Sequence, residues 1–262
     1  RSRSTPRRCG ECSVEPAFAS PPSMPRTPLF LPYGRQTIED DDVAAVERVL
    51  RGDFLTTGPA VAEFESALAA RTGAREAVVC SSGTAALHLA SLALRLRPGD
   101  VVAVPSVTFL ATANAPRLAG AEIAFTDVDP DTGLMRVEDL EALLDEHGDT
   151  IRAVFPVHLA GQVGEIEAIH AVARCHGLAV VEDACHALGT SYDSGDGLAT
   201  EVGAGRHGDM TVFSFHPVKH AAMGEGGAVT TNDPDLAARA RLLRNHGMVG
   251  DAAAFTDRER GF

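Results

Sequence analysis

Seven short apolar runs recur between residues 76 and 232, and most are followed by a stretch with helical spacing. They are EAVVC (76–80), VVAVP (101–105), EIAFTDV (122–128), IRAVFPV (151–157), LAVVED (178–183), MTVFSF (210–215) and GAVTTN (227–232). None shows the polar alternation of a half-exposed strand, so both faces must be covered. Helical patterns lie at 83–95, 108–120, 136–145, 165–177 and 233–247. Strands that alternate with helices need crossover connections, and this predicts an α/β fold with a mostly parallel sheet flanked by helices. Two helices precede the alternation, at 37–51 and at about 61–71. Thr37 with Asp40 resembles a capping box, the acidic run Glu39 to Asp42 suits the positive end of the helix dipole, and Ile38, Val46, Val49 and Leu50 form an apolar stripe.

A chain of 262 residues has room for one large α/β domain. A net charge of -13 with no basic block argues against a nucleic-acid surface. No apolar run approaches the roughly 20 residues that span a bilayer, so no membrane partner is expected. Cys80, Cys175 and Cys185 fall within apolar patterns, which fits free thiols in a reduced, cytoplasmic setting. Cys9 and Cys12 form one C-x-x-C without a second pair; a chance occurrence outweighs zinc, and no metal is assigned.

The residues that carry chemistry stand at strand ends, where open α/β sheets gather their ligands. Ser81-Ser82-Gly83-Thr84 follows one strand and opens a helix. Its free amides and hydroxyls suit an anion, although Ser82 as a plain N-cap explains the same residues. Asp183 ends another strand, where a simple terminator or cap is the alternative. Ser214 ends a third, and Lys219, the only lysine in the chain, lies five residues beyond it. Phe109 follows VVAVP and is either a platform for a planar ring or a core aromatic. His186, three residues after Asp183, is either a ligand contact or a packing histidine. Taken together, an amine, a carboxylate and hydroxyls at one sheet edge are the parts that pyridoxal 5'-phosphate (PLP) chemistry needs. The amine holds the aldehyde as a Schiff base, the carboxylate keeps the pyridine nitrogen protonated, and the hydroxyl helps hold the phosphate. A buried lysine with a lowered pKa is expected for that role. A dinucleotide-binding reading is disfavoured, because no G-x-G-x-x-G follows the first strand.

From about Pro28 to Gly247 the chain resembles the sugar aminotransferases of the DegT/DnrJ/EryC1/StrS family. The matching pieces are LTTGP (55–59), FE (64–65), SSGTAALHLA (81–90), PSVTFLATAN (105–114), DVD (127–129), VEDACHALG (181–189), GD (208–209) with FSFHPVK (213–219), and GEGG (224–227). The resemblance implies the large domain of the aspartate aminotransferase (fold type I) architecture, with a small C-terminal domain that this chain lacks. It implies Lys219 as the Schiff-base lysine and proton shuttle, Asp183 at the pyridine nitrogen, and Phe109 stacked on the ring. His186 would lie near the phenolic side, Gly83, Thr84 and Ser214 would hold the phosphate, and Ser82 counts among the cofactor-binding residues. A related branch carries histidine at the Lys219 position and dehydrates instead.

FLPYGRQ-I (30–38) and PVHLAGQ (156–162) look most like the subgroup that aminates a UDP-linked 4-keto-6-deoxy sugar on the pseudaminic acid route. The implied partners are that nucleotide sugar, L-glutamate as amino donor, and a second subunit in a homodimer. Alternatives are a dTDP-linked sugar aminated at C3 or C5, and an inactive PLP-binding remnant. Met223 and Leu159 depart from the family pattern. Residues 1–23, rich in Arg, Ser and Pro, read as a disordered extension with Met24 as the natural start, and 24–262 as the PLP-binding domain, incomplete at its C-terminus.

Overall fold

In the computed structural model, residues 34–194 and 197–248 are described; the extension read at 1–23, with Cys9 and Cys12, lies outside them. Among the described residues nine strands follow in chain order: β1 (Glu76–Cys80), β2 (Val101–Pro105), β3 (Glu122–Thr126), β4 (Ile151–Val154), β5 (Ala179–Asp183), β6 (Ser191–Asp193), β7 (Ala199–Glu201), β8 (Met210–Ser214) and β9 (Gly227–Thr231). The helices are α1 (Asp40–Leu50), α2 (Pro59–Thr72), α3 (Gly83–Ala93), α4 (Leu110–Leu118), α5 (Val137–His147), α6 (Ile166–His176) and α7 (Pro234–Arg244). Seven strands form one sheet in the order β1-β9-β8-β5-β4-β2-β3. β9 runs against both of its neighbours, and the remaining pairs are parallel.

Successive residues on the strands feed opposite faces, as the two-residue period of a strand requires. Val102, Ala153 and Val181 join one cluster with Leu87 and Ala240 of α3 and α7, while Ala103, Val154 and Val180 join another with Leu140 and Ile169 of α5 and α6. The apolar runs of β2, β4 and β5 are thereby explained, whereas edge strand β3 is covered on one face only and leaves Phe125 exposed. Each fully buried Leu, Ile or Phe contributes about 1.5–3 kcal/mol.

Several boundaries differ from the sequence reading. The strands expected at 122–128 and 151–157 end at Thr126 and Val154, although Val157 still bridges Asp183. The helix expected from 108 begins at Leu110, because Phe109 is extended at φ -72, ψ 144. The first helix is capped at Glu39, whose amide donates to Asp42 Oδ2 at 2.9 Å, and not at Thr37. Its apolar stripe is largely uncovered: Ile38, Val46 and Leu50 are 58%, 60% and 65% exposed, and Val49 is half-buried. The β6–β7 hairpin was not foreseen, since SYD and ATE are too short and polar to show a period.

Edge strand β1 is closed by side chains. Val79 N–H donates to Glu65 Oε1 of α2 at 3.0 Å, and its carbonyl accepts from Arg244 of α7 at 3.0 Å. Arg241 donates to the Ala77 carbonyl at 3.0 Å, and Arg244 also pairs with Glu65. Backbone groups that would otherwise offer themselves to a foreign strand are thereby taken. Among the described residues no helix is long and apolar enough to cross a membrane, and no group of three or more His, Cys, Asp or Glu could hold a metal. Cys80, Cys175 and Cys185 are free, but Cys175 is exposed rather than inside its helix's apolar face.

Candidate active site

The ends of β1, β5 and β8 open into one cleft of about 780 Å³. All eight residues singled out in the sequence line it: Ser82, Gly83, Thr84, Phe109, Asp183, His186, Ser214 and Lys219.

At the end of β1, Ser82 caps α3. Its Oγ accepts from Ala85 N–H at 3.1 Å, and its carbonyl accepts from Ala86 N–H at 2.9 Å. The amides of Gly83 and Thr84 have no acceptor among the described residues, so the helix start faces the cleft as an anion site. Ser82 is thus both the plain cap and part of the cleft wall. Gly83 must be small: a Cβ there would stand 2.8 Å from Ser214 Cβ and 3.0 Å from Cys185 Sγ. Tighter still is Gly227, where a Cβ would come within 2.2 Å of the Ser82 carbonyl group. The glycines of GEGG let β9 run against the turn that carries Ser82.

Asp183 is 4% exposed. Its Oδ2 accepts from Thr112 Oγ1 at 2.6 Å and its Oδ1 from Cys185 N–H at 3.2 Å. Since the one Thr112 hydroxyl proton is spent on the carboxylate, the 2.7 Å contact with Thr108 has Thr108 as donor. A buried carboxylate held by several donors keeps its direction. Nothing in the sequence around Thr112 marks this role, because its partner is 71 residues away. Thr112→Val is expected to cost about 1.5–3 kcal/mol of folding stability, the worth of a hydrogen bond to a charged group, and Thr112→Ser to restore most of it. Urea unfolding of both variants checks this, and equal midpoints for wild type and Thr112→Val would contradict it.

Lys219 follows β8 in a turn, its amide donating to the His216 carbonyl at 2.8 Å. It is half-buried, less enclosed than the sequence reading expected. Phe109 is 70% exposed on the cleft wall, which removes the core-aromatic alternative. His186 Nδ1 accepts from Ala160 N–H at 3.3 Å. Burial, and then the Lys219 charge, lower its pKa. Cys185 also lines the cleft, but burial and then the Asp183 charge push its thiol up, and burial raises Cys80 to about 11. Neither thiol is a nucleophile near neutrality.

His207, hydrogen-bonded to Tyr192 behind the sheet, is also held below the ordinary histidine value, by burial and then by His170. For His186 and His207 the unfolded chain binds protons that the folded chain refuses once the pH falls below 6.5. Their contribution to stability is complete above that pH and is lost on acidification through the lowered folded pKa values. Urea midpoints at about pH 7.5 and about pH 5.5 should differ accordingly, and the drop should shrink in His186→Gln. A drop unchanged in that variant would rule His186 out as a source.

Residues 36–262 match the model of the DegT/DnrJ/EryC1/StrS aminotransferase family. Among solved structures, the chain is 36% identical to DesV of S. venezuelae (TM-score 0.74), covering 83% of this chain and 55% of that one. It is 30% identical to Helicobacter pylori PseC, an aminotransferase involved in the biosynthesis of pseudoaminic acid (TM-score 0.74; 86% and 58% covered). A Streptococcus pneumoniae protein in its PLP form is 28% identical (TM-score 0.75; 84% and 59% covered). The sheet order, the cleft at the strand ends and these matches define a fold type I PLP-dependent transferase domain. The chain belongs to the DegT/DnrJ/EryC1/StrS aminotransferase family. It spans a little over half the length of these solved relatives.

The cleft fits PLP. Free amides at the α3 start and Ser214 suit a phosphate, a buried carboxylate suits a pyridinium, and an amine stands beside them.

Proposed function

We propose that the chain is the cofactor-binding large domain, over residues 24–262, of an aminotransferase acting on a nucleotide-linked keto-sugar with L-glutamate as amino donor. The observation that carries this is the meeting, in one cleft, of the chain's single lysine, a 4%-exposed carboxylate and a helix start with free amides.

Bound PLP supplies an aldehyde that carries the amino group and a ring that accepts electron density. The chain's own residues would do the rest. Lys219 Nζ would hold the cofactor and, once released, shuttle a proton at the reacting carbon. Asp183 would keep a proton at the pyridine nitrogen, its carboxylate oriented by Thr112 and the Cys185 amide. Phe109 would cover one face of the ring, and His186 would meet its phenolic side. Ser82, Gly83, Thr84 and Ser214 would hold the phosphate, excluding water from it.

The test is borohydride reduction of the PLP-treated chain followed by peptide mapping. The label is expected on the peptide that contains Lys219, and a label found elsewhere would overturn the reading.

Within this reading, the substrate is a UDP-linked 4-keto-6-deoxy sugar of pseudaminic acid assembly, supported by the PVHLAGQ segment and the likeness to PseC. A panel of UDP- and dTDP-linked keto-sugars tests it; turnover of the dTDP set alone would replace it with a C3 or C5 aminotransferase. The exposed apolar residues Val46, Leu50 and Phe54 support a homodimer for the whole protein, and the free cysteines support a cytoplasmic site. A second reading is a PLP-binding module without turnover. Cofactor uptake without amino exchange from glutamate would select it.

A further inference from the structure

Glu182 and Asp183 are neighbours on β5, so their side chains leave the strand on opposite faces. Asp183 enters the cleft. Glu182, 2% exposed, turns away and meets His158 Nε2 at 2.7 Å, with Thr211 Oγ1 donating to its other oxygen at 3.4 Å. His158, also 2% exposed, is tied to Asp183 as well, through its own N–H to the Asp183 carbonyl at 3.0 Å. One histidine thus holds both residues of the pair, one by side chain and one by backbone.

The chain after His158 turns sharply over Leu159–Gly161, with Ala160 in the left-handed region at φ 55, ψ 24. A non-glycine residue takes that conformation at some cost, so the surroundings must hold it there. In that turn the Ala160 N–H reaches His186 Nδ1 at 3.3 Å, and Gly161 lies so close that a Cβ would be 3.1 Å from the His186 carbonyl oxygen.

We infer that the buried His158–Glu182 pair is a positioning device: it holds the Ala160 amide against His186 Nδ1 and so fixes the tautomer with which His186 faces the cleft. A ring nitrogen that accepts a backbone N–H carries no proton, so in the neutral ring the proton sits on Nε2. Protonating Nδ1 would set two N–H groups head to head, so the same contact keeps the ring neutral. The charged and titratable groups facing His186 are Asp183 from β5, and Lys219 and His220 from the loop after β8. Resting on the PLP reading, His186 is then a permanent hydrogen-bond donor toward the phenolic oxygen, never an acceptor competing for its proton. Neither His158 nor Glu182 lines the cleft, and both act only through the turn.

The test is long-range proton–nitrogen correlation spectroscopy of the isotopically labelled full chain without cofactor, with the His186 signals identified by their loss in His186→Gln. Wild type is expected to show the single Nε2–H form. His158→Leu should turn this into a mixture of both tautomers and raise the His186 pKa toward the ordinary histidine value. His158→Gln, which keeps a donor toward Glu182, should restore the single form. If His158→Leu does not fold, Gly161→Ala displaces the same turn from outside the pair and carries the same expectation. An Nδ1–H form in wild type, or a tautomer unmoved in a folded turn variant, would overturn the inference. Because no cofactor is present, these outcomes are independent of the borohydride label at Lys219, whose absence would instead sink the PLP reading.

Discussion

Lys219→Ala is expected to abolish covalent capture of PLP and to remove amino transfer. Loss of the positioned proton-transfer group alone removes about 10²–10⁴ in rate, and loss of the covalent holding step adds to it. The result is unusually clean here because no second lysine side chain can substitute. Lys219 is half-buried, and among the described residues its side chain makes no hydrogen bond or ion pair, so the urea midpoint of the variant should match wild type. A variant that still takes the borohydride label would show that another amine, such as the chain's own N-terminus, had been holding the aldehyde.

Gly227→Ala is expected to be the most damaging single substitution for the fold beside the cleft. An added methyl would meet the backbone of Ser82 at 2.2 Å and the Gly83 amide nitrogen at 2.6 Å, and backbone cannot swing aside as a side-chain tip does. Overpacking of this kind costs about 1–3 kcal/mol, and contact with a peptide unit of the main chain places it at the upper end. The substitution also pushes on the helix start read as the phosphate site, so weaker PLP binding should accompany the lower urea midpoint. Loss of stability with unchanged affinity would separate the turn from cofactor binding. Gly224, where a Cβ would meet nothing, is the matched control, although its φ of 76 makes alanine mildly strained there.

What the sequence disclosed and what it withheld follow a physical line. β1 and β2 occupy the residues read for them, because a buried strand must be apolar throughout and writes its limits into composition. The cleft residues were legible because strand ends place them, and the sheet order then brings Asp183, Ser214 and the Ser82 turn together. The supporting shell left no such trace. Thr112 on Asp183, His158 on Glu182 and Arg244 on Val79 join residues 71, 24 and 165 positions apart, and nothing local marks either partner. Phe109 and the α1 stripe show the converse. Phe109 was open to either a ring platform or a core, and the stripe had no assigned partner; both stand largely exposed, since periodicity says which face is apolar and not what covers it.

The pairing of β1 with β9 has a consequence for how the molecule comes into being. During synthesis the first ribbon of the sheet leaves the ribosome long before the one that must lie beside it, and contacts between such distant stretches form slowly. Until Arg241 and Arg244 have also emerged, that ribbon's outer rim is bare. The phosphate-facing turn is therefore made early and seated late, and translation must run past the seventh helix before the cleft can exist.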